Sequence, residues 1–476
     1  MVRDKKEAIV VGSGPNGLAA AIALAQAGLQ VTVYEKHEVI GGGCRSLELI
    51  QKGYIHDVCS TVHLQVKLSP FFQKLPLEEF GLRWVTPPFA LAHPFDDGTA
   101  AVVSQSMPET VASLDSIDEE TYARLMSPLV KQSKELMAEI MRFPCIPLRH
   151  PLLMFNFGKR ALTSTTELAR SLFKGKRARA LIAGMGAHSG MELEQRGSFA
   201  SGFLMGITAH SDGWPFPEGG SQKTVAALAG YLTELSGKII TSFEVKSLEQ
   251  MPPSDLVLLD VTPQQFLNMA EKRLPSSYIS KLNRYKYGCG AFKCDWILDG
   301  PISWKASECS KANTVHIGGY LEEIASAERE VNQQKHPEKP FVILTQPSLF
   351  DRTRASGSGH IAYAYCHVPN GSTFNMAERI EAQIERFAPG FRDRIIGRHT
   401  MSTDDLERHN PNCVGGDFLG GAQSLMKLIL PSISYETPIR NVFLCSSSTP
   451  PSPGVHGMCG FRAAQTAIRK LGISRY

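Results

Sequence analysis

The chain has 476 residues, 43% of them apolar, and its 50 Lys and Arg against 46 Asp and Glu give a formal net charge of +4. This composition excludes a chain that is mainly disordered, and the length predicts about two or three packed units. The weak positive charge is spread over both halves rather than gathered in a tail, so we expect no nucleic-acid partner.

The ten cysteines contain no CxxC pair and no Cys and His set at the spacing of zinc ligands, so we predict no metal site. Cys289 and Cys294 have the CxxxxC spacing of a redox dithiol in some flavoprotein reductases, but the surrounding letters GCGAFKCDWIL favour a strand. Only seven residues precede the first apolar run, too few for a cleavable signal, so a cytoplasmic location is the default expectation.

The first apolar stretch, residues 8–34, carries no charge, but glycines and a proline interrupt it, which argues against a membrane span. Its pattern predicts a buried strand at 9–11, a helix at 16–27 and a second strand at 29–34. These three elements form a βαβ unit.

A GxGxxG motif lies in that unit, directly after the first strand and at the start of the helix, and an acidic residue follows the second strand. Glycines in this motif allow a tight turn, a close approach of backbone to a pyrophosphate, and close packing of helix on strand, while the acidic residue accepts from a ribose hydroxyl. We therefore predict a dinucleotide site. Its expected contacts are Gly12, Ser13, Gly14, Asn16, Gly17, Glu35 and Lys36.

The residues after this unit favour FAD over NAD, which share the fingerprint. Glycines occupy positions 41–43, and Arg45 follows them. The glycines admit close backbone contact and the guanidinium supplies forked donors, so this loop can wrap the phosphates of a long cofactor. We expect Gly42, Gly43 and Arg45 to contact FAD, although a surface arginine is the alternative reading of Arg45.

A second strand, loop and helix unit is predicted near the other end of the chain. Residues 441–445 read as a strand, and a loop with Gly454, Gly457 and Gly460 leads into the helical letters FRAAQTAIRKLG. The N-terminus of such a helix offers N–H groups and a positive dipole, which stabilise the negative charge of a reduced flavin.

With these motifs in order, the sequence resembles the phytoene desaturase-like branch of FAD-dependent oxidoreductases with the amine oxidase fold. The resemblance is carried by VVGSGPNGLAAAIALAQAG, VYEKHEVIGGGCRS, WPFPEGGSQKTVAALAGYLTELSGKIITSFEVKSL and LCSSSTPPSPGVHGMCGFRAA. It implies that Val245, on a strand, meets the adenine and that Val455, His456, Gly457 and Met458 lie under the isoalloxazine. Cys44 precedes Arg45 where carotenoid desaturases usually read GGR, so carotenoid chemistry is not assumed.

The resemblance also implies an α/β fold in which a discontinuous, Rossmann-like FAD-binding domain carries an inserted α+β substrate domain with a mixed or antiparallel sheet and helices. The FAD-binding domain is expected at 1–68, 195–285 and 415–476, and the substrate domain at 69–194 and 286–414. A second GxGxxG with flanking strand and helix is not found, so we expect no separate NAD(P) domain.

A basic segment at residues 149–179 contains eight Lys and Arg and a single acidic residue, next to the apolar letters PLLMFNF. This composition suits peripheral contact with a membrane surface, through which a lipophilic substrate could enter. The alternative is a solvated basic helix with its apolar side on the core.

The leading functional hypothesis is an FAD-dependent oxidoreductase that desaturates or isomerises a lipophilic, isoprenoid or carotenoid-like substrate by hydride transfer to flavin. A flavin amine oxidase and a non-enzymatic lipid- or prenyl-binding protein on the same fold are the alternatives. His456 is nominated as the catalytic contact or proton acceptor. The further side chains expected to line the pocket are His210, Trp214, His360, Tyr363, Tyr365 and His367.

Overall fold

The computed structural model describes residues 6–142, 149–451 and 453–473. In chain order, the strands are β1 Glu7–Val11, β2 Gln30–Tyr34, β3 Ser46–Leu47, β4 His56–Asp57, β5 Trp84–Val85, β6 Phe89–Pro94, β7 Ala100–Ser104, β8 Phe216–Pro217, β9 Lys238–Ile240, β10 Leu256–Leu259, β11 Gly290–Leu298, β12 Ala312–Ile317, β13 Val342–Thr345, β14 His360–Val368, β15 Ile395–Met401 and β16 Val442–Leu444.

Helices separate most of these strands. They are α1 Pro15–Gln26, α2 Met107–Ala112, α3 Glu119–Val130, α4 Ser133–Ile140, α5 Pro151–Ala161, α6 Thr165–Leu172, α7 Lys176–Ala187, α8 Phe199–Asp212, α9 Gln222–Glu234, α10 Pro263–Ala270, α11 Ser276–Asn283, α12 Leu321–Asn332, α13 Ala377–Phe387, α14 Thr403–His409, α15 Leu425–Ile429 and α16 Met458–Lys470.

The predicted βαβ unit is present as β1, α1 and β2. The apolar run of β1 is buried between β2 and β10, to both of which it is parallel. α1 begins with Pro15, whose ring suits the first helical position, and ends just before Gly28, which has φ +86°. The unit therefore follows from local signals of strand, turn and cap.

A parallel five-stranded sheet with the order β16-β10-β1-β2-β9 is built around this unit. Its strands come from three separate stretches of the chain, residues 7–34, 238–259 and 442–444. α1 packs against α9 and α16. A Cβ on Gly460 of α16 would lie 1.7 Å from the carbonyl oxygen of Asn16, so the close crossing of α16 over α1 requires glycine.

A second sheet of seven strands has the order β15-β11-β14-β13-β12-β6-β7 and is mixed, because β12 and β6 run parallel while the other pairs are antiparallel. One face packs on α13, and helices α3, α7 and α8 contribute with β6 and β7 to a separate apolar core. The two sheets confirm the predicted fold class. The domain boundaries stay a prediction, and their ends at residues 1 and 476 lie outside the described residues.

The letters predicted to form a strand around Cys294 are β11, and both Cys289 and Cys294 are free thiols. Cys294 is buried in the core under the seven-stranded sheet. Within the described ranges, no helix is long and apolar enough to cross a bilayer.

Candidate functional site

A cavity of about 1370 Å³ lies between the two sheets. Its volume exceeds the range of about 300–1,000 Å³ that is usual for one small-molecule site, so it has room for a cofactor and a second ligand. One end is formed by residues at the carboxyl ends of β1, β2 and β10, and the other end reaches side chains of β11, β12, β13 and β14. Ligands of open parallel sheets bind at the carboxyl ends of the strands.

The glycine loop after β1 forms the first wall of the cavity. Gly12 has φ +99°, and its N–H donates to the carbonyl of Tyr34 at 2.8 Å, which closes the turn against β2. A Cβ on Gly17 would lie 2.0 Å from the oxygen of Gly12, so α1 starts this close to the loop only with glycine. No side chain caps α1, and its first turn contains no acidic residue. The helix end can therefore receive an anion.

Glu35 lies buried at the end of β2 and braces the glycine loop. Its Oε2 accepts from the N–H of Ser13 at 3.0 Å and from Ser13 Oγ at 2.5 Å, and its Oε1 accepts from the N–H of His37 at 2.9 Å. A carboxylate has about four acceptor positions, so one remains for a ligand hydroxyl. Glu35 is thus both a loop support and a candidate for the ribose contact.

Arg45 is a buried cation at the cavity wall, with 4% of its side chain exposed. Its Nε donates to the carbonyl of Gly42 at 3.2 Å and its Nη2 to the carbonyl of His409 at 2.6 Å. Among the described residues, no carboxylate lies within ion-pair distance of Arg45. Burial lowers the pKa of the guanidinium, with the nearby Glu35 acting in the opposite direction. A bound pyrophosphate fits this uncompensated charge.

Asp260 is a cavity residue that the sequence analysis missed. It follows β10, and its Oδ2 accepts from the N–H of Gly17 at 2.9 Å. Burial raises the pKa of Asp260 to about 7, an effect that the Gly17 N–H opposes and the charge of Glu35 reinforces. The rule that ligands meet the carboxyl ends of parallel strands was the available signal for this position.

The loop before α16 brings only part of the predicted set to the cavity. Val455 lines it, whereas His456, Gly457 and Met458 lie behind the wall. Gly457, with φ +67°, caps α16, and His456 Nδ1 accepts from the N–H of Met458 at 3.0 Å. The carbonyl of His456 accepts from Ser69 Oγ at 2.7 Å. These contacts set the start of the helix, and the catalytic role of His456 stays a prediction.

The cavity gathers most of the predicted cofactor residues, and Gly17 supports them from behind through its bond to Asp260. The predicted residues that line it are Gly12, Ser13, Gly14, Asn16, Glu35, Lys36, Gly42, Gly43, Arg45, Val245 and Val455.

The strand position expected for Val245 is wrong. β9 ends at Ile240, and Ser242 with φ +55° turns the chain, so Val245 reaches the cavity from a loop.

Three of the further pocket residues are also corrected, whereas Trp214, Tyr363 and Tyr365 do line the cavity. His210 is buried against the hydroxyl of Tyr122, 3.0 Å from its Nε2. His360 is the first residue of β14 and lies beside Arg352, outside the cavity wall. His367 is on the same face of β14 as the two tyrosines, but its Nδ1 lies 2.8 Å from Oε2 of Glu328, which separates it from the cavity.

Lys293 of β11 is a second cavity residue without a sequence prediction. Its ammonium pairs with Asp295 and lies 4.3 Å from the ring centroid of Tyr363. Burial raises the pKa of Asp295, but the ammonium of Lys293 and the nearby rings of His399 and His56 outweigh it and hold the pKa below its usual value. The pair therefore brings an ammonium to the cavity with its charge already compensated.

The cavity beyond Lys293 is mainly apolar, and its wall there comes from α5, α8 and the segment around α15. The apolar members are Leu64, Ile140, Met154, Phe157, Ala161, Leu162, Met191, Leu204, Met205, Phe418, Leu419, Leu428, Ile429 and Leu430. Among described residues, the carboxylates in the cavity wall are Glu35, Glu244 and Asp260, which are all at the glycine-loop end. The cations Arg142, Lys293 and Lys427 lie outside that end.

Comparison with known proteins confirms the resemblance and the fold. The domain described as an NAD(P)-binding Rossmann-like domain matches residues 10–75. The chain is 21% identical to pyridine nucleotide-disulfide oxidoreductase domain-containing protein 2 of Rattus norvegicus, across 99% of this chain and 94% of that protein. It is 25% identical to a phytoene desaturase of Fusarium fujikuroi, across 74% of this chain and 64% of that protein.

The solved structure of a putrescine oxidase bound to putrescine has the same fold, with a TM-score of 0.61, 16% identity, and coverage of 98% of this chain and 99% of that one. Together these matches show that the chain shares the fold of an amine oxidase and support a dinucleotide-dependent oxidoreductase.

Proposed function

We propose that this protein is an FAD-dependent oxidoreductase that transfers a hydride from a carbon of a lipophilic, isoprenoid-like substrate to flavin. Loss of a neighbouring proton would complete a desaturation, and return of the hydride would complete an isomerisation. The observation that carries the proposal is the single cavity that joins the glycine loop and the buried Arg45 to an apolar chamber. FAD, when bound, is the acceptor of the hydride.

The residues at the glycine-loop end would hold the cofactor. The uncapped N-terminus of α1 and the guanidinium of Arg45 provide donors for a pyrophosphate, and Glu35 keeps one acceptor position for a ribose. The start of α16, behind Val455, directs a helix dipole toward this side of the cavity.

The apolar residues of the chamber would exclude water and hold the substrate in a defined position. Apolar side chains of α5 and α8 surround the space, and hydride transfer from carbon requires close alignment in a dry site more than acid or base assistance. The buried Tyr363 and Trp214 and the half-buried Tyr365 form the aromatic part of the wall.

An amine substrate is the second candidate, supported by the fold shared with putrescine oxidase. A pocket that binds a protonated amine would be expected to contain carboxylates, or polar groups whose charge is not already compensated by a neighbour. The carboxylates of the described wall lie at the glycine-loop end, and the chamber end holds cations instead. This charge distribution favours a neutral lipophilic substrate over an amine.

A non-enzymatic lipid-binding protein on this fold is disfavoured by the glycine loop. Gly12, Gly14, Gly17 and Glu35 keep the geometry of a dinucleotide site, and Arg45 is buried without a carboxylate partner among the described residues. A protein that binds only lipid has no need for either feature.

We further propose that the substrate enters from a membrane surface. Leu152 and Phe155 of α5 are exposed by 77% and 66%, and Ile429 and Leu430 at α15 by 56% and 64%. Ile429 and Leu430 also line the cavity, and α5 contributes Met154 and Phe157 to its wall. α5 and α15 are neighbours through Gly197. The N–H of Gly197 donates to the carbonyl of Thr163, just after α5, and the same glycine packs against α15. Lys159 on α5 adds a basic residue at this rim.

The first test is the visible absorption spectrum of the purified protein, with identification of the cofactor released on denaturation. Stoichiometric FAD supports the proposal. The flavin should then bleach when the protein is mixed without oxygen with at least one member of a panel of long-chain isoprenoids, hydrocarbon and oxygenated, and not with putrescine. A colourless protein that also fails to take up added FAD contradicts the proposal.

A further inference from the structure

A row of polar side chains crosses the face of the seven-stranded sheet that forms the cavity floor. Thr314 of β12 is directly opposite Thr345 of β13, and Thr345 is directly opposite Tyr363 of β14. All three line the cavity and are at most 5% exposed. The row lies across the otherwise apolar chamber, at the side nearest Lys293.

Thr314 has a hydroxyl that the described part of the chain leaves without a hydrogen-bond partner. The side chain is 3% exposed and lies in the cavity wall. Burying a hydroxyl without a partner is unfavourable, and a ligand atom placed in the cavity can supply the missing hydrogen bond. Directly opposite residues have Cβ atoms about 4.5–5.5 Å apart, so Thr314 and Thr345 can serve the same ligand atom.

A pair of histidines lies next to the row of polar side chains, on the side of α7. His188 lines the cavity, and its Nε2 is 2.7 Å from Nε2 of His316. His316 is two residues after Thr314 on the same strand face, a separation of about 6.6 Å. Trp214 lies 6.4 Å from the ring of His188 and is also in the cavity wall.

The groups around the row are neutral or compensated. Burial, with the neighbouring His367, lowers the pKa of His188 to about 3, and burial with His188 and His93 lowers that of His316, so both rings are uncharged at neutral pH. Burial raises the pKa of Tyr363, which keeps its hydroxyl protonated. The ammonium of Lys293 is paired with Asp295. Such a site suits a neutral oxygen atom better than a carboxylate or an ammonium group.

We infer that the substrate is not a pure hydrocarbon but a lipophile with a neutral hydroxyl or carbonyl oxygen, which hydrogen-bonds to Thr314 and Thr345. The apolar remainder extends along α5 and α8 toward the exposed rim. This inference rests on the proposed function, because it specifies the substrate class of the same cavity. The inferred substrate class differs from that of enzymes whose substrates contain only carbon and hydrogen.

The test compares two probes that differ by one hydroxyl, the C20 alcohol phytanol and the hydrocarbon phytane. Binding of each to the flavin-loaded protein is measured by equilibrium dialysis from the same cyclodextrin carrier. Variants are Thr314→Val and Thr345→Val, which keep the shape of the side chain, and the control is Ile343→Val, an adjacent cavity residue without a polar atom. The partition of each probe into the carrier is the same for all variants and cancels in the comparison.

We expect Thr314→Val to weaken phytanol binding by about tenfold while leaving phytane binding within about twofold, and Thr345→Val to act in the same direction. Ile343→Val should change both probes equally. An unchanged ratio of the two affinities in both threonine variants, or binding of neither probe by the wild type, overturns the inference. The absorption spectrum of the same samples reports flavin occupancy, so failure of the proposed function would appear there as a colourless protein.

Discussion

The backbone N–H of Gly17 donates to Asp260 Oδ2 at 2.9 Å and joins positions 243 residues apart. Through this bond a carboxyl group at the end of β10 supports the glycine loop after β1. A Cβ on Gly14 would lie 3.0 Å from the same oxygen, so the carboxyl lies directly under the loop. The protonation state of Asp260 is therefore coupled to the part of the site that would receive a pyrophosphate.

Replacing Asp260 by Asn should make stability less dependent on pH. The pKa is about 7 in the folded chain, against about 3.9 for an unperturbed Asp, so the folded state binds the proton more tightly. The resulting stabilisation is complete below about pH 3.9 and is lost as the pH rises through about 7. Asn resembles the protonated acid and still accepts from Gly17. We expect Asp260→Asn to be more stable than the wild type at pH 8.5, by at most about 4 kcal/mol.

Urea unfolding at pH 5 and pH 8.5 measures this difference. Asp255→Asn, at a half-buried site that accepts from the N–H of Glu7 at the start of β1, is the control and should not change the pH dependence. Equal pH profiles for Asp260→Asn and the wild type would show that the carboxyl titrates normally.

Glu35→Arg should abolish flavin retention. The substitution removes the acceptor of the three hydrogen bonds that brace Ser13 and His37 and places a cation at the ribose position. The flavin to protein ratio after gel filtration is the measurement. Glu244→Gln is the control, because Glu244 is also in the cavity wall but is 40% exposed and pairs with Lys36 and Lys246. Full occupancy in Glu35→Arg would contradict the cofactor assignment.

Arg45→Lys should weaken FAD binding by on the order of tenfold, since it keeps the charge but loses the forked donors. The bonds to the carbonyls of Gly42 and His409 also hold the guanidinium in place, and an ammonium cannot make both with the same geometry. Titration of the flavin-free protein with FAD measures the effect. Arg408→Lys, an exposed change one residue before His409, should bind FAD like the wild type. Equal affinity for Arg45→Lys would place Arg45 outside the cofactor contact.

The sequence predicted the βαβ unit within one or two residues because its determinants are local. A short apolar run, a proline at the first helical position and glycines with special φ values each act over a few residues. The fold class was predicted through the resemblance, and the two sheets confirm it.

The chamber could not be predicted in the same way, because it depends on strand register between distant segments. Thr314, Thr345 and Tyr363 meet only once β12, β13 and β14 are aligned, and no spacing in the sequence encodes that alignment. The same limit explains the error at His367, whose strand face was suitable but whose neighbour Glu328 comes from α12. Asp260 was within reach of sequence reasoning, since it directly follows an apolar strand.

Charged substitutions on α5 should impair binding to vesicles. Leu152→Glu with Phe155→Glu places two carboxylates on the exposed apolar rim, where both burial of apolar area and attraction to anionic lipid are lost. Co-sedimentation with vesicles of phosphatidylcholine and phosphatidylglycerol should fall by at least about tenfold. Ile117→Glu and Ile396→Glu, at residues exposed by 59% and 61% outside the cavity wall, are the controls. Wild-type protein that stays in the supernatant would remove the membrane proposal.

His456→Ala should slow flavin reduction while FAD stays bound, and a paired variant separates catalysis from structure. Nδ1 of His456 accepts from the N–H of Met458 at the start of α16, so the alanine variant also loses a helix-end hydrogen bond worth about 1 kcal/mol. His456→Asn offers an oxygen that can accept the same bond but has no imidazole.

Stopped-flow reduction and urea unfolding are measured on both variants. If His456 acts in the reaction, His456→Asn recovers stability but still reduces flavin slowly. If reduction returns to the wild-type rate with Asn, the histidine serves only to set the helix that faces the cofactor, and its position behind Val455, outside the cavity wall, agrees with that second outcome.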